Sequence, residues 1–593
     1  MRTPLRPLAR ILPARLRGEN TDRIEAENIR QRHEEMRDRM RVRAKSRLLF
    51  VGVLFLAGFS TVGVRMSVLA SSEAVEPRAS VSSAAIVAQR SNIVDRQGRV
   101  LATNLITNSL YAQPQLMIEP ERAAKALVSI FPDLDEKRLL KDFTGERKFL
   151  WVKRKISPEQ QQAVHEIGDP GLLFGPREMR LYPNGRLAPH ILGGASFGRE
   201  GVHSAEVIGT AGVERKFDAF LRDPALEGAP LRLSVDMTIQ SAMRRVLNGS
   251  MKLLNAKAAT AVLMKVDTGE VVSMVSLPDF DPNTRPREAY KGDPSESPLF
   301  NRSVQGVYEL GSTFKVFAAA QALELGLVNP STVLDTKGPM IWGKHKIRDL
   351  HDHGDTMSVT DVIVESSNIG TARMALNIGA ERQQAFLKAL GFFDSTEVEL
   401  VEAPGAKPLL PKKWSELHTM TISYGHGIAA SPLHLAAGYA TMVGGGTLVK
   451  PTLLKVDEVT PGPRIISERT SAQIRDMLGQ VVERGTASFA KDTGYRIGGK
   501  TGTADKPKRA GGGYYKDKVI ATFASAFPID DPEYVLVVTL DEPSENSGDK
   551  PRRTAGWTAV PVAAEIIQRT APLLGLRPIE PAAPTGVTAV KFE

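Results

Sequence analysis

Three short stretches of the 593-residue chain carry residue types that could perform nucleophilic chemistry together. In Ser312-Thr313-Phe314-Lys315 a hydroxyl and an amine stand three residues apart, one helical turn from each other on the same side. Serine is a poor nucleophile until a base takes its proton during attack. Lysine serves as that base only when neutral, which requires burial or a second cation nearby. Ser366-Ser367-Asn368, within VIVESSNIGTARMAL, places a serine and an asparagine two apart on a loop between helices, where both can face one cleft. Ser366 could relay a proton to a leaving amine; Asn368 could hold a substrate amide or fix Lys315. Lys500-Thr501-Gly502-Thr503, after Gly498-Gly499, reads as a strand in which Thr501 and Thr503 alternate with Gly502. There Gly502 would let a substrate backbone come close. Lys500 supplies the second cation, able to depress the Lys315 pKa and attract a carboxylate. Each stretch alone has a plainer reading: a chance S-x-x-K, a helix cap or turn, an exposed Lys-Thr turn. Their presence together, in order, at 312, 366 and 500, is what those readings leave unexplained.

Elements able to position these groups are legible around them. Ala259–Pro278 reads as two apolar strands around Asp267-Thr268-Gly269, a β-hairpin. Helical patterns run through 238–254, 312–325 and 359–376, with Gly326 where a helix C-terminus favours glycine. Strand patterns return at 519–527 and 534–540, and a last helix fits 560–571. Strands, then helices, then strands imply one antiparallel sheet drawn from both ends of the domain, with helices on its faces. Upstream, 90–104 reads as two short strands around a turn, with helices at 121–131, 158–167 and 214–221. That region is mixed α+β and rich in turns, without catalytic spacing. No repeat of 20–50 residues is present.

Composition bounds the rest. Hydrophobic residues make up 42% and charged residues 24%, ordinary for a globular chain of several domains. Cysteine is absent, which excludes disulfides, thiolate metal sites and a cysteine nucleophile. The net charge is +10, but residues 1–47 hold 14 Lys or Arg and 7 Asp or Glu, so most of it lies in the tail. A nearly balanced body argues against nucleic-acid binding. After that tail, Leu48 to Val64 carries no charge and would rise about 26 Å as a helix. With the residues to Ala70 it can cross a bilayer core. Arg41, Arg43, Lys45 and Arg47 precede it, which keeps the N-terminus cytoplasmic and the body outside. A buried core helix and a signal peptide cleaved after Val68-Leu69-Ala70 are the alternatives. The tail itself reads as a solvated, partly helical segment, able to meet anionic lipid or a cytoplasmic partner. The expected organisation is a basic tail (1–47), a transmembrane anchor (48–70), a pedestal opening on a linker (71–230), a catalytic domain (231–575) and a flexible C-terminal tail (576–593).

The set S-x-x-K, S-x-N and K-T-G resembles that of penicillin-binding proteins. Further stretches are similar to class B members. They are Arg90–Asn104 (with Ser91 where glycine is usual), Arg180-Leu181-Tyr182-Pro183, Gly212-Val213-Glu214, and Asn301 through Lys315, where Leu310 replaces a proline. Tyr424-Gly425-His426-Gly427 resembles the family's G-x-G before a long core helix; His426 and His434 read as packing or hydrogen-bonding residues. After Lys500, TGTADKPKRAGGGYYKDKVIATFASAFP is similar to the division-specific, FtsI-type branch. The resemblance covers nearly everything from Arg90 to about Thr570.

The resemblance implies an α+β fold: a penicillin-binding transpeptidase domain on a mixed α+β, dimerisation-like pedestal, with one transmembrane helix. It implies an exported D,D-transpeptidase of the inner membrane that cross-links peptidoglycan stem peptides at the septum and is acylated by β-lactams. In that mechanism Ser312 attacks the penultimate D-alanine carbonyl, with Lys315 as base. The backbone N–H groups of Ser312 and Thr503 hold the oxyanion. Ser366 and Lys500 pass a proton to the departing D-alanine, and Lys500, Thr501 and Thr503 hold the terminal carboxylate. No metal or organic cofactor is implied. A SEDS-family glycosyltransferase (FtsW type) and other division proteins are implied as partners. Other readings are an elongation-type enzyme or chiefly a division scaffold. A bifunctional class A enzyme, a β-lactam sensor and a β-lactamase fit the chain less well.

Overall fold

The computed structural model describes residues 8–71, 90–200, 205–286, 291–508 and 512–579. Most of the expected linker (71–88) and of the C-terminal tail (576–593) lies outside the described residues. The chain divides into two compact units. One gathers the described residues of Met1–Arg78 with Ala112–Leu150 and Ile167–Leu172; the other comprises the rest.

In the first unit the basic tail and the apolar run form one continuous helix, Asp22–Ser71. A separate helix, Leu8–Leu16, precedes it, and residues 17–21 between the two are not helical, so the tail is helical in part, as expected. The stretch Arg47–Ser67 is long and apolar enough to cross a membrane, and none of it is buried. The same unit contains helices Pro120–Ile130 and Glu136–Phe143; Asp135 caps the second by accepting the Arg138 N–H.

The second unit is built on a five-stranded antiparallel sheet. Its strands are β1 (Ala258–Lys265), β2 (Val271–Leu277), β3 (Gly498–Pro507), β4 (Tyr514–Phe527) and β5 (Tyr534–Asp541), in the order β3-β4-β5-β1-β2. The first hairpin thus pairs with strands that follow more than 200 residues later, as the pattern of elements implies. β1, β2 and β5 are buried at almost every position, which explains their unbroken apolar runs: both faces of the sheet are covered. Helices Met237–Leu253 and Ala559–Thr570 pack on the sheet and on each other. Pro432–Val443 also packs on it; all twelve of its residues are buried, as its apolar sequence requires. β3 is an edge strand, so one row of its backbone groups is unpaired within the sheet.

A second sheet uses the start of the body. Ile93–Val94 pairs antiparallel with Val100–Ala112 across the expected turn, and parallel with Leu231–Arg232. Strands Leu150–Ile156 and Leu172–Leu181, which sequence periodicity did not reveal, flank Val100–Ala112. The expected helix at 214–221 is broken at Phe217 into Gly212–Lys216 and Asp218–Leu221. Three motifs of this region meet in one buried cluster. Arg90 donates to Glu214 (2.8 Å) and Asp218 (2.7 Å), and Arg180 to Glu214 (2.7 Å). Tyr182 also donates to Glu214, at 3.3 Å. The cluster joins residues up to 128 positions apart within the second unit.

Candidate active site

The turn that carries Ser312 is tighter than the expected helix. Gly311–Phe314 is a 3₁₀ turn, and the α-helix begins only at Lys315 and ends at Glu324. Leu310 has φ −88° and ψ 5°, compatible with the proline it replaces, and Gly311 follows at φ +57°. The Thr313 hydroxyl donates to Leu310 O (3.0 Å), and Tyr439 on the all-buried helix donates to Thr313 O (2.8 Å). Phe314 packs against Phe317 and Phe392. Among the four residues of the turn only Ser312 is not buried, so its hydroxyl is the part left open.

Lys315 is wholly buried, and its Nζ donates to Ser366 twice, to the backbone O and to Oγ (3.1 Å). Burial pushes the Lys315 amine well below its ordinary pKa; the Lys500 charge acts in the same direction and Asp349 opposes both. Lys500 is also wholly buried and is pushed down to about 7 by desolvation, with Glu365 acting against the shift. Two ammonium groups placed together in a dry interior cannot both keep a proton cheaply. Both shifts favour the neutral amine, which is the form a base requires.

The helical pattern over 359–376 is interrupted at Glu365–Ser367. Helix Val359–Val364 stops, Ser366 takes φ +64°, and a new helix starts at Asn368 with Ser367 as its cap. Ser366 is thereby turned onto Lys315, whereas Asn368 is not. The Asn368 amide donates to Arg348 O (2.8 Å), so it fixes the loop before it rather than Lys315. Asp349, in the same loop, accepts from Ser367 Oγ (2.6 Å), Asn368 N and Ile369 N (3.1 Å).

The third motif lies on β3. A Cβ on Gly502 would sit 2.2 Å from Leu310 O and 2.9 Å from Thr313 Cγ2. The glycine is needed for the strand to press on the turn that carries Ser312, not for a substrate to approach. A Cβ on Gly311 would lie 3.1–3.3 Å from the Thr503 backbone, which places the Thr503 peptide beside the residue before Ser312. Thr501 is buried and shares a hydrogen bond with the Thr486 hydroxyl (2.7 Å); Thr503 Oγ1 accepts from Ala555 N (2.9 Å).

Comparison with known proteins shows the family. Residues 259–568 match the family model described as the penicillin binding protein transpeptidase domain, and 85–224 that of the penicillin-binding protein dimerisation domain. The chain belongs to the penicillin-binding protein transpeptidase family. This penicillin-binding protein is 34% identical to the probable peptidoglycan D,D-transpeptidase FtsI of Caulobacter vibrioides, over 82% of each chain. It is 29% identical to the FtsI enzyme of Escherichia coli, over 77% of this chain and 79% of that one. The crystal structure of penicillin binding protein 3 from Mycobacterium tuberculosis, complexed with aztreonam, is similar in fold. It has a TM-score of 0.62 at 25% identity and covers 83% of this chain and 98% of that one.

Several contributors to the site of this penicillin-binding protein carried no sequence signal. Asp349 lies in a hydrophilic loop, RDLHDHGD, that resembles any solvated turn. Glu365, Thr486 and Tyr439 are recognisable only by what they touch. The two histidines behave as expected. His434 bonds Ser431 Oγ (2.7 Å) and Asp394 O (2.9 Å), while His426 packs against Tyr424 and Tyr514.

Proposed function

We propose that this chain is a division-type D,D-transpeptidase in which Ser312 forms the acyl-enzyme and Lys315 is its base. The penicillin-binding transpeptidase domain acts on peptidoglycan stem peptides and is acylated by β-lactams. One observation carries the assignment of roles: a wholly buried Lys315, its pKa lowered by burial and by the Lys500 charge, one turn from the only open hydroxyl of its turn and bonded to Ser366. Ser312 Oγ attacks the carbonyl of the penultimate D-alanine as its proton passes to Lys315. The proton returns through Ser366 to the amine of the departing D-alanine. An amine of a second stem peptide then attacks the ester and restores Ser312.

The backbone N–H groups of Ser312 and Thr503 receive the oxyanion; donors of this kind contribute about 3–4 kcal/mol each. The donor peptide lies along the free edge of β3, with its carboxylate near Thr501 and Thr503 and with Lys500 acting by charge from beneath. Asn368 shapes this cleft through Arg348. The body is held outside the inner membrane by the helix through Arg47–Ser67, N-terminus inside, with a SEDS-family glycosyltransferase (FtsW type) as partner. The stretch after Lys500 and the FtsI-named relatives support the division role. The domain boundaries are 1–47, 48–70, 71–230, 231–575 and 576–593.

Intact-protein mass spectrometry after adding a penicillin tests this reading. The wild type gains one penicillin mass and Ser312→Ala gains none. A folded wild type without adduct, or an adduct on Ser312→Ala, overturns it.

A further inference from the structure

We infer that Asp349 is a positioning residue for acyl transfer, its carboxylate pinning the Ser366–Asn368 turn over Lys315; this rests on the roles proposed above. Ser366 is a non-glycine residue at φ +64°. That left-handed conformation costs about 1–2 kcal/mol and persists only where neighbours over-determine it. On the N-terminal side, Ser367 N–H closes onto Val362 O (2.9 Å). On the C-terminal side the restraint comes from the loop. Asp349 Oδ2 accepts the Ser367 hydroxyl (2.6 Å), while Oδ1 accepts the N–H groups of Asn368 and Ile369. Arg348 O takes the Asn368 amide (2.8 Å). Three of these four bonds end on one carboxylate.

The consequence for chemistry is direct. In this conformation the Ser366 backbone O and Oγ both meet Lys315 Nζ. Without Asp349 the turn can relax, and the proton relay between Lys315 and the leaving group loses its register. Helix capping would be the plainer function, since Ser367 also caps the helix by accepting from Gly370 N (3.0 Å). Capping alone does not require a charge that faces the catalytic lysine. The charged groups about Lys315 are Lys500 on β3 and Asp349 on the loop, and Glu365 at the end of helix Val359–Val364 faces Lys500. His353 lies 4.0 Å from Glu365. Asp349 is thus the group that opposes Lys500 at Lys315.

The test uses the full-length chain and a chromogenic β-lactam, with acylation rates measured from pH 5 to 9 and thermal melts alongside. Asp349→Asn keeps acceptor capacity for the two N–H groups but loses the charge. Its acid limb is expected to move to lower pH by about half to one unit, because a negative charge that favours protonated Lys315 is gone. Asp349→Ala is expected to lower the plateau rate at least ~10-fold, with the adduct still on Ser312. Asp349→Glu is expected to recover part of that rate. A limb that stays at the wild-type pH or moves upward in Asp349→Asn overturns the inference, even if Tm falls, since that pattern describes a helix cap only. Should Asp349→Ala not fold, the Asp349→Asn limb decides alone. An unacylated wild type would instead overturn the assignment of Ser312 and this inference with it.

Discussion

Adding one methyl group at Gly502 should disable acyl transfer without touching any reacting atom. The methyl of Gly502→Ala would lie 2.2 Å from Leu310 O and 2.9 Å from Thr313 Cγ2. An ordinary contact lies at 3.4–4 Å, well over 1 Å beyond the first of these distances. The neighbour is a backbone carbonyl that already accepts the Thr313 hydroxyl, so it cannot rotate away as a flexible side chain would. Either β3 lifts from the turn or the turn is pushed from β3. Overpacking of this kind costs about 1–3 kcal/mol against a net stability of about 5–15 kcal/mol, so the domain stays folded. Catalysis is far more sensitive, because a ~1 Å displacement between reacting groups costs on the order of 100-fold. We therefore expect Gly502→Ala to melt within several degrees of wild type and to acylate with penicillin about 100 times more slowly, read by the time course of the intact-mass adduct. Gly425→Ala attacks the same turn from its other side. Its Cβ would sit 2.0 Å from Gly311 O, at a backbone φ of +81°. It should behave alike. Acylation by Gly502→Ala within threefold of wild type would falsify the claim that this strand sets the position of Ser312.

Two further outcomes follow from the buried charges. Lys500→Gln removes the cation that lowers the Lys315 pKa, so Lys315 stays protonated to higher pH and the acid limb of acylation moves upward. For unit charges about 5–8 Å apart at an effective dielectric near 20, the interaction is about 2–3 kcal/mol, or roughly 1.5 to 2.5 pH units. This is opposite in sign to Asp349→Asn, and a downward shift in a pH–rate profile would sink the electrostatic account. In the pedestal, Glu214→Gln removes the carboxylate that Arg90 and Arg180 share, leaving Arg90 paired with Asp218 and Arg180 bonded only to the neutral Ser91 O and Asn104 Oδ1 within the cluster. Breaking a buried pair costs about 3–5 kcal/mol, so urea melts should show a lowered midpoint; an unchanged midpoint would remove the cluster's structural role.

Much of the fold can be read locally. The hairpin at 259–278, the strands at 519–527 and 534–540 and the last helix follow from unbroken apolar runs between turn residues, and the observed elements differ from them by a few residues at their ends. The strands at 150–156 and 172–181 were not legible, because their sequences mix charged and apolar residues without alternation. The break at Ser366 was equally hidden within a sound helical pattern. It is imposed by the distant loop at 348–349.

The sequence by itself determined which groups could react. Ser312, Lys315, Ser366 and Lys500 are chemically apt, and their order along the chain is that of a penicillin-binding transpeptidase. Tertiary structure alone decided how they act. Gly502 presses on the nucleophile turn, Asn368 turns away from Lys315, and Asp349 enters the site. The physical reason is distance along the chain. A residue's type and its near neighbours set local conformation, whereas burial, charge pairing and the pKa of a lysine depend on groups brought together from positions 315, 349, 366 and 500.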